Sequence, residues 1–145
     1  MSEVELAVSR FKDGFSCSQA VFSAYATQFG LNRETALKIA GTFGGGMGHM
    51  GETCGAVTGA FMVIGLIYGR TIAGDRQSQE KTDSLVHEFV DRFKSRNGSI
   101  VCRELLGYDL STPEGAKIYK EKKFPDTVCT KFVQDAAEII EQILE

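Results

Sequence analysis

From Thr53 to Tyr68 the chain carries no charged side chain, and its most apolar part, Ala56 to Tyr68, holds glycines at 59 and 65. A run of this length is too short to cross a bilayer. A helix that is apolar all round is a buried one. Gly55 and Gly59, with Ala56 and Ala60 beside them, put small residues four apart, which lets a neighbouring backbone come close. The pattern predicts a buried central helix over about 53–68, with the rest of the chain built around it.

That rest reads as helix after helix. Val4, Ala7, Val8 and Phe11 keep helical spacing up to Gly14, and a second helix from about Ser16 sets Cys17, Ala20, Val21 and Ala24 on one face before Gly30. Asn32 caps a third, which breaks at Gly41. The stretch Gly41 to Gly51 is rich in glycine. Beyond the central helix, Leu85, Val86, Phe89, Val90 and Phe93 stripe a long helix over about 78–96, ended by Asn97-Gly98. Ser99 is a candidate cap for a short helix holding Cys102. Pro113 opens another short helix, and Pro125-Asp126 start the last, where Cys129, Phe132, Val133, Ala136, Ile140 and Ile143 share a face. Few segments alternate with period two. The expectation is an all-α, compact bundle of five to seven helices.

A chain of 145 residues is long enough to bury its own core, and no linker or repeat divides it, so 1–145 reads as a single domain. The net charge of -3 comes without a basic stripe, which removes the electrostatic footprint of nucleic-acid binding. Membrane insertion is not expected. The N-terminus carries acids where a secretory signal carries bases, and no twin-arginine pair lies near it, so the expectation is a cytoplasmic protein. Thiols there are normally reduced. Four cysteines then read as metal-binding or catalytic rather than as disulfide staples.

Cys17, Cys54, Cys102 and Cys129 each fall in the first turn or so of an expected helix, on its apolar side. Four helices would point one sulfur each inward. Unsatisfied amides and the helix dipole favour an anion at such positions, and helix N-termini lower thiol pKa. None of the spacings is Cys-x-x-Cys, so any site is assembled by the fold from distant segments. The plainer reading is four small buried hydrophobes.

The order Cys17, then Cys54-Gly55-Ala56-Val57-Thr58-Gly59, then Cys102 and Cys129, resembles the family of redox-active proteins named for its C_GCAxxG_C_C pattern. The resemblance runs from about Phe11 to Phe132 and implies a domain of this size with four signature cysteines, working in redox chemistry. Three chemistries suit four converging thiols. The first is electron transfer through an iron–sulfur cluster, with Cys17, Cys54, Cys102 and Cys129 as ligands and Cys54 as the central one. Gly44, Gly45, Gly46, Gly48, Gly51 and Gly55 would supply backbone donors around it. The second is thiol–disulfide exchange without metal, and the third structural zinc in a module without turnover. Whether the chain is an enzyme stays open. A redox partner protein or a small oxidant or reductant is expected in either redox case.

Gly46-Met47-Gly48-His49-Met50-Gly51 matches the dinucleotide glycine pattern, but that motif needs a strand before it, and a capped helix is expected there instead. An anion-binding nest is the alternative for this loop. His49 reads either as an exposed loop histidine or as a ligand or proton donor near Cys54. Glu52 reads as a helix-start carboxylate or as a general acid or base, and His87 has no assigned role. Met47, Met50 and Met62 are expected to fill gaps in the core. The broad apolar stripes of the long and last helices allow a homodimer.

Overall fold

Helix starts are set by caps. Ser2 begins α1 (Glu3–Lys12), and Ser16 closes a capping box with Gln19 at the start of α2 (Cys17–Ala26), which runs into a 3₁₀ turn at Thr27–Phe29. Asn32 caps α3 (Arg33–Ala40), Asp75 caps α5 (Arg76–Asn97), and Thr112 with Pro113 opens α7 (Pro113–Glu121). Helix α4 (Gly55–Tyr68) and the short α6 (Cys102–Leu106) start without a side-chain cap. A π-turn at Pro125–Cys129 leads into α8 (Thr130–Leu144).

This computed structural model describes residues 1–144, and among them the fold is all-α, with eight α-helices once the short α6 and α7 are counted separately. Ser99 does not cap α6. Its hydroxyl accepts from the Val101 amide and donates to Glu104, and the helix begins only at Cys102. No described helix is long and apolar enough to cross a membrane.

Helix α4 is buried over Gly55–Ala60 and at Val63 and Ile64, but Leu66 is exposed and Ile67 and Tyr68 are half-buried. The most enclosed helix is α2, where every residue except Gln19 is buried. Composition hides this, because α2 carries Ser18 and Ser23 inside. Ser18 donates to the Ala40 carbonyl at 2.7 Å and Ser23 accepts from Arg10 at 2.7 Å, so neither hydroxyl is orphaned. Helices α2 and α4 pack backbone to backbone. A Cβ on Gly59 would fall 2.9 Å from the Ser18 carbonyl oxygen, and one on Gly55 would fall 3.1 Å from the Ser18 nitrogen. A second aromatic layer, Phe89 stacked on Phe93 with Phe61 and Phe132 against them, joins α5 to α4 and α8.

The loop from Gly41 to Gly51 is a wound structure. Gly45, Gly46, Met47, Gly48 and His49 all have positive φ, between 59° and 74°. Its turns are closed by the amides of Met47, Gly48, His49, Gly51 and Glu52 bonding back to carbonyls at 42–46. Left-handed backbone costs about 1–2 kcal/mol per residue wherever a Cβ is present. The glycines make the shape accessible, and Met47 and His49 bear that cost.

Candidate functional site

Cys17 is the first residue of α2, Cys102 the first of α6, and Cys54 immediately precedes α4. Cys129 ends the π-turn before α8. All four are buried free thiols. All four line one cavity of about 20 Å³, room for about one water molecule.

Local backbone bonding brings them there. Thr53 and Val101 form an antiparallel bridge. On either side of it the Cys54 amide donates to the Ile100 carbonyl at 2.7 Å and the Cys102 amide to the Glu52 carbonyl at 2.6 Å. These bonds tie the start of α4 to the start of α6. The close approach at Gly55 sets Cys54 against α2, with the Cys17 Cβ 3.2 Å from where a Gly55 Cβ would lie. The wound loop closes over Cys102, whose Cβ lies 2.8 Å from the position a Gly46 Cβ would take.

Of the glycines expected around the sulfurs, Gly45, Gly46 and Gly55 line this cavity. Gly44, Gly48 and Gly51 belong to the same loop but not to the cavity wall. Gly44 packs on Ser16, and Gly51 faces Asp109 and Arg103. The loop amides of Gly48, His49, Met50, Gly51 and Glu52 are bonded within the loop, so they do not form an open nest. Among the described residues no strand precedes the Gly46–Gly51 match.

The thiols are not equivalent. Burial pushes Cys54 up from 9.0 to about 11, although its sulfur accepts from the amides of Ala56 and Val57. Burial and then the neighbouring Cys54 and Cys129 sulfurs push Cys102 up to about 12. Helix-start position alone therefore does not make these sulfurs acidic, because desolvation outweighs the amides. Cys17 and Cys129 are hydrogen-bonded to each other, and their shifts are opposite. Cys129 is held below the ordinary thiol value, first by the Cys17 hydrogen bond and also by Tyr119 of α7. Cys17 is pushed well up, first by its hydrogen bond with Cys129 and then by burial. Of the two, Cys129 is therefore the one that gives up its proton first.

Tyr119 was not visible as a site residue in the sequence. It sits ten positions before Cys129 on a separate helix, and no spacing rule joins them. His49 is exposed and lines an outer groove that Cys54 does not reach. Glu52 pairs with Arg103 at 2.9 Å on the surface, which leaves it a structural carboxylate. His87 is exposed on α5. Met47 and Met62 are half-buried, while Met50 is exposed and fills no gap in the core.

Among the described residues no three His, Cys, Asp or Glu side chains are grouped closely enough to hold a metal ion. A family model described as "Putative redox-active protein (C_GCAxxG_C_C)" matches residues 15–143. No curated protein and no solved structure matches the chain.

Proposed function

We infer, from a chain that belongs to the C_GCAxxG_C_C redox-active family, that the four-cysteine cavity works by reversible dithiol–disulfide chemistry, with Cys17 and Cys129 as the reacting pair. The observation that carries this reading is that Cys17 and Cys129 are buried in one cavity with room for about one water molecule, where each moves the other's titration in the opposite direction. Two cysteines in one small cavity are already neighbours, and the lowered pKa of Cys129 favours its thiolate, the form that reacts. Oxidation joins Cys17 Sγ to Cys129 Sγ and releases two electrons to an oxidised partner. The protons still held by the two sulfurs leave with them. Tyr119, donating to Cys129, steadies the anion before the bond forms. Cys54 and Cys102, with pKa values well above neutrality, stay protonated and line the site.

An iron–sulfur cluster draws support from the arrival of all four thiols at one place beside Gly45 and Gly46. The size of the cavity weighs against it. Room for about one water molecule leaves no space for an inorganic core of iron and sulfide. Structural zinc is weighed down by the lack of a three-residue ligand group among the described residues. The dithiol reading is therefore the better supported one.

The test uses the neutral oxidant diamide, followed by denaturation, alkylation and peptide mapping. The wild-type chain is expected to lose two thiols, linked as Cys17–Cys129 and restored by dithiothreitol. Cys54→Ser is expected to keep this behaviour, and Cys129→Ser to lose it. A pair linking Cys54 to Cys102, or no linkage at all, would contradict the assignment.

A further inference from the structure

A second cavity adjoins the first. It is an open groove of about 490 Å³, within the range of small-molecule sites. It shares Cys17, Gly45 and Tyr119 with the cysteine cavity, so the two meet at these residues. Phe11, Phe15 and Pro125 form its apolar wall, and His49 adds a polar one. Cys17 is the only cysteine that reaches it, and at 9% exposure it is the most exposed of the four.

No carboxylate, lysine or arginine lines the groove itself. The Arg33 guanidinium lies 5.9 Å from the centre of the Phe15 ring, part of the groove's wall. Arg10 is turned away to the buried Ser23, to which it donates at 2.7 Å. Arg33 forms no ion pair among the described residues. A cation without an acidic partner, on the wall of an open groove free of carboxylates, attracts an anion.

We propose that this groove is the substrate site, that Cys17 is the cysteine the substrate meets, and that the substrate is a small disulfide carrying carboxylate groups. The inference rests on the dithiol reading given above and extends it to a substrate class. Cys17 Sγ attacks one sulfur of the incoming disulfide while its proton passes to Cys129. The substrate's sulfur–sulfur bond breaks and one thiolate departs into the groove. Cys129 gives the proton to that thiolate and then attacks Cys17 Sγ, which expels the second half as a thiolate. The substrate gains two electrons and one proton, and the protein holds a Cys17–Cys129 disulfide. The apolar wall shields the mixed disulfide from water, and Arg33, beside the Phe15 ring, draws the carboxylates to the mouth.

The experiment follows two-hydrogen loss from the reduced full chain with three disulfides of similar size. These are dithiodiglycolate (anionic), 2-hydroxyethyl disulfide (neutral) and cystamine (cationic), each rate being divided by its rate with the urea-unfolded chain. At low ionic strength the anionic compound is expected to exceed the cationic one by about fivefold or more. Arg33→Glu, a change at an exposed helix start, is expected to remove that preference, as is high salt. In Cys129→Ser the half-molecule is expected to remain on Cys17. Equal normalised rates for all three compounds, or trapping on Cys102, would overturn the groove assignment while leaving the dithiol reading in place. If none of the three forms an intramolecular pair, the dithiol reading itself falls.

Discussion

His49 and Met47 occupy left-handed backbone at φ 61° and 69°, in a loop otherwise shaped by glycine. Non-glycine residues in this region cost about 1–2 kcal/mol and persist where surrounding structure holds them. Because the His49 side chain is exposed, His49→Gly is expected to raise stability by about 1 kcal/mol in thermal unfolding; no gain would mean that the loop is not strained. Gly46→Ala should do the opposite. Its Cβ would meet the Glu52 nitrogen at 2.6 Å and the Cys102 Cβ at 2.8 Å, so a loss of about 1–3 kcal/mol and displacement of Cys102 are expected. Urea unfolding and the rate of Cys102 alkylation would check both, and unchanged values would contradict the close approach. At this scale the four cysteines were legible in the sequence, since each stands near a helix start. The left-handed turn was only half legible, because glycines announce freedom but Met47 and His49 do not. Tyr119 was not legible at all, since its partner is brought to it by packing alone.

Among the elements, the α2–α4 contact decides the geometry of the site. It exists because Gly55 and Gly59 have no side chains, and it is what brings Cys54 to Cys17. Gly59→Val is expected to cost about 1–3 kcal/mol or more by forcing the helices apart, while Gly65→Ala, at a position with open space around it, should be neutral or stabilising. Equal effects for the two variants in urea unfolding would contradict this packing. The small-residue spacing in α4 was readable beforehand, as were the cap at Asn32 and the helix start at Pro113. The deeper burial of α2 was not, because two serines lower its apparent hydrophobicity while finding partners inside. Ser99 misled for a related reason. Its hydroxyl serves the turn before α6 rather than the helix itself, a local competition that Ser commonly offers.

Over the whole molecule, the buried thiols couple stability to pH. Cys54 and Cys102 hold their protons more tightly in the folded chain than the ordinary value of 9.0, at about 11 and about 12. Groups raised in this way contribute stability that is fully present below about pH 9 and is lost as pH rises through the folded values. The shifts of Cys17 and Cys129 run in opposite directions. Thermal unfolding of the reduced chain should therefore show a fall across the range from about pH 9 to about pH 12. Cys102→Ala, which removes one of these thiols, should flatten that fall; the same slope in both chains would contradict it. The most direct test of the account is an intact-mass measurement on anaerobically purified protein, before and after oxidant, with iron and sulfide assayed on the same sample. A metal-free chain that loses two hydrogens and regains them with dithiothreitol is the predicted result. A brown protein containing iron and sulfide, bleached by dithionite and keeping all four thiols as ligands, would contradict it.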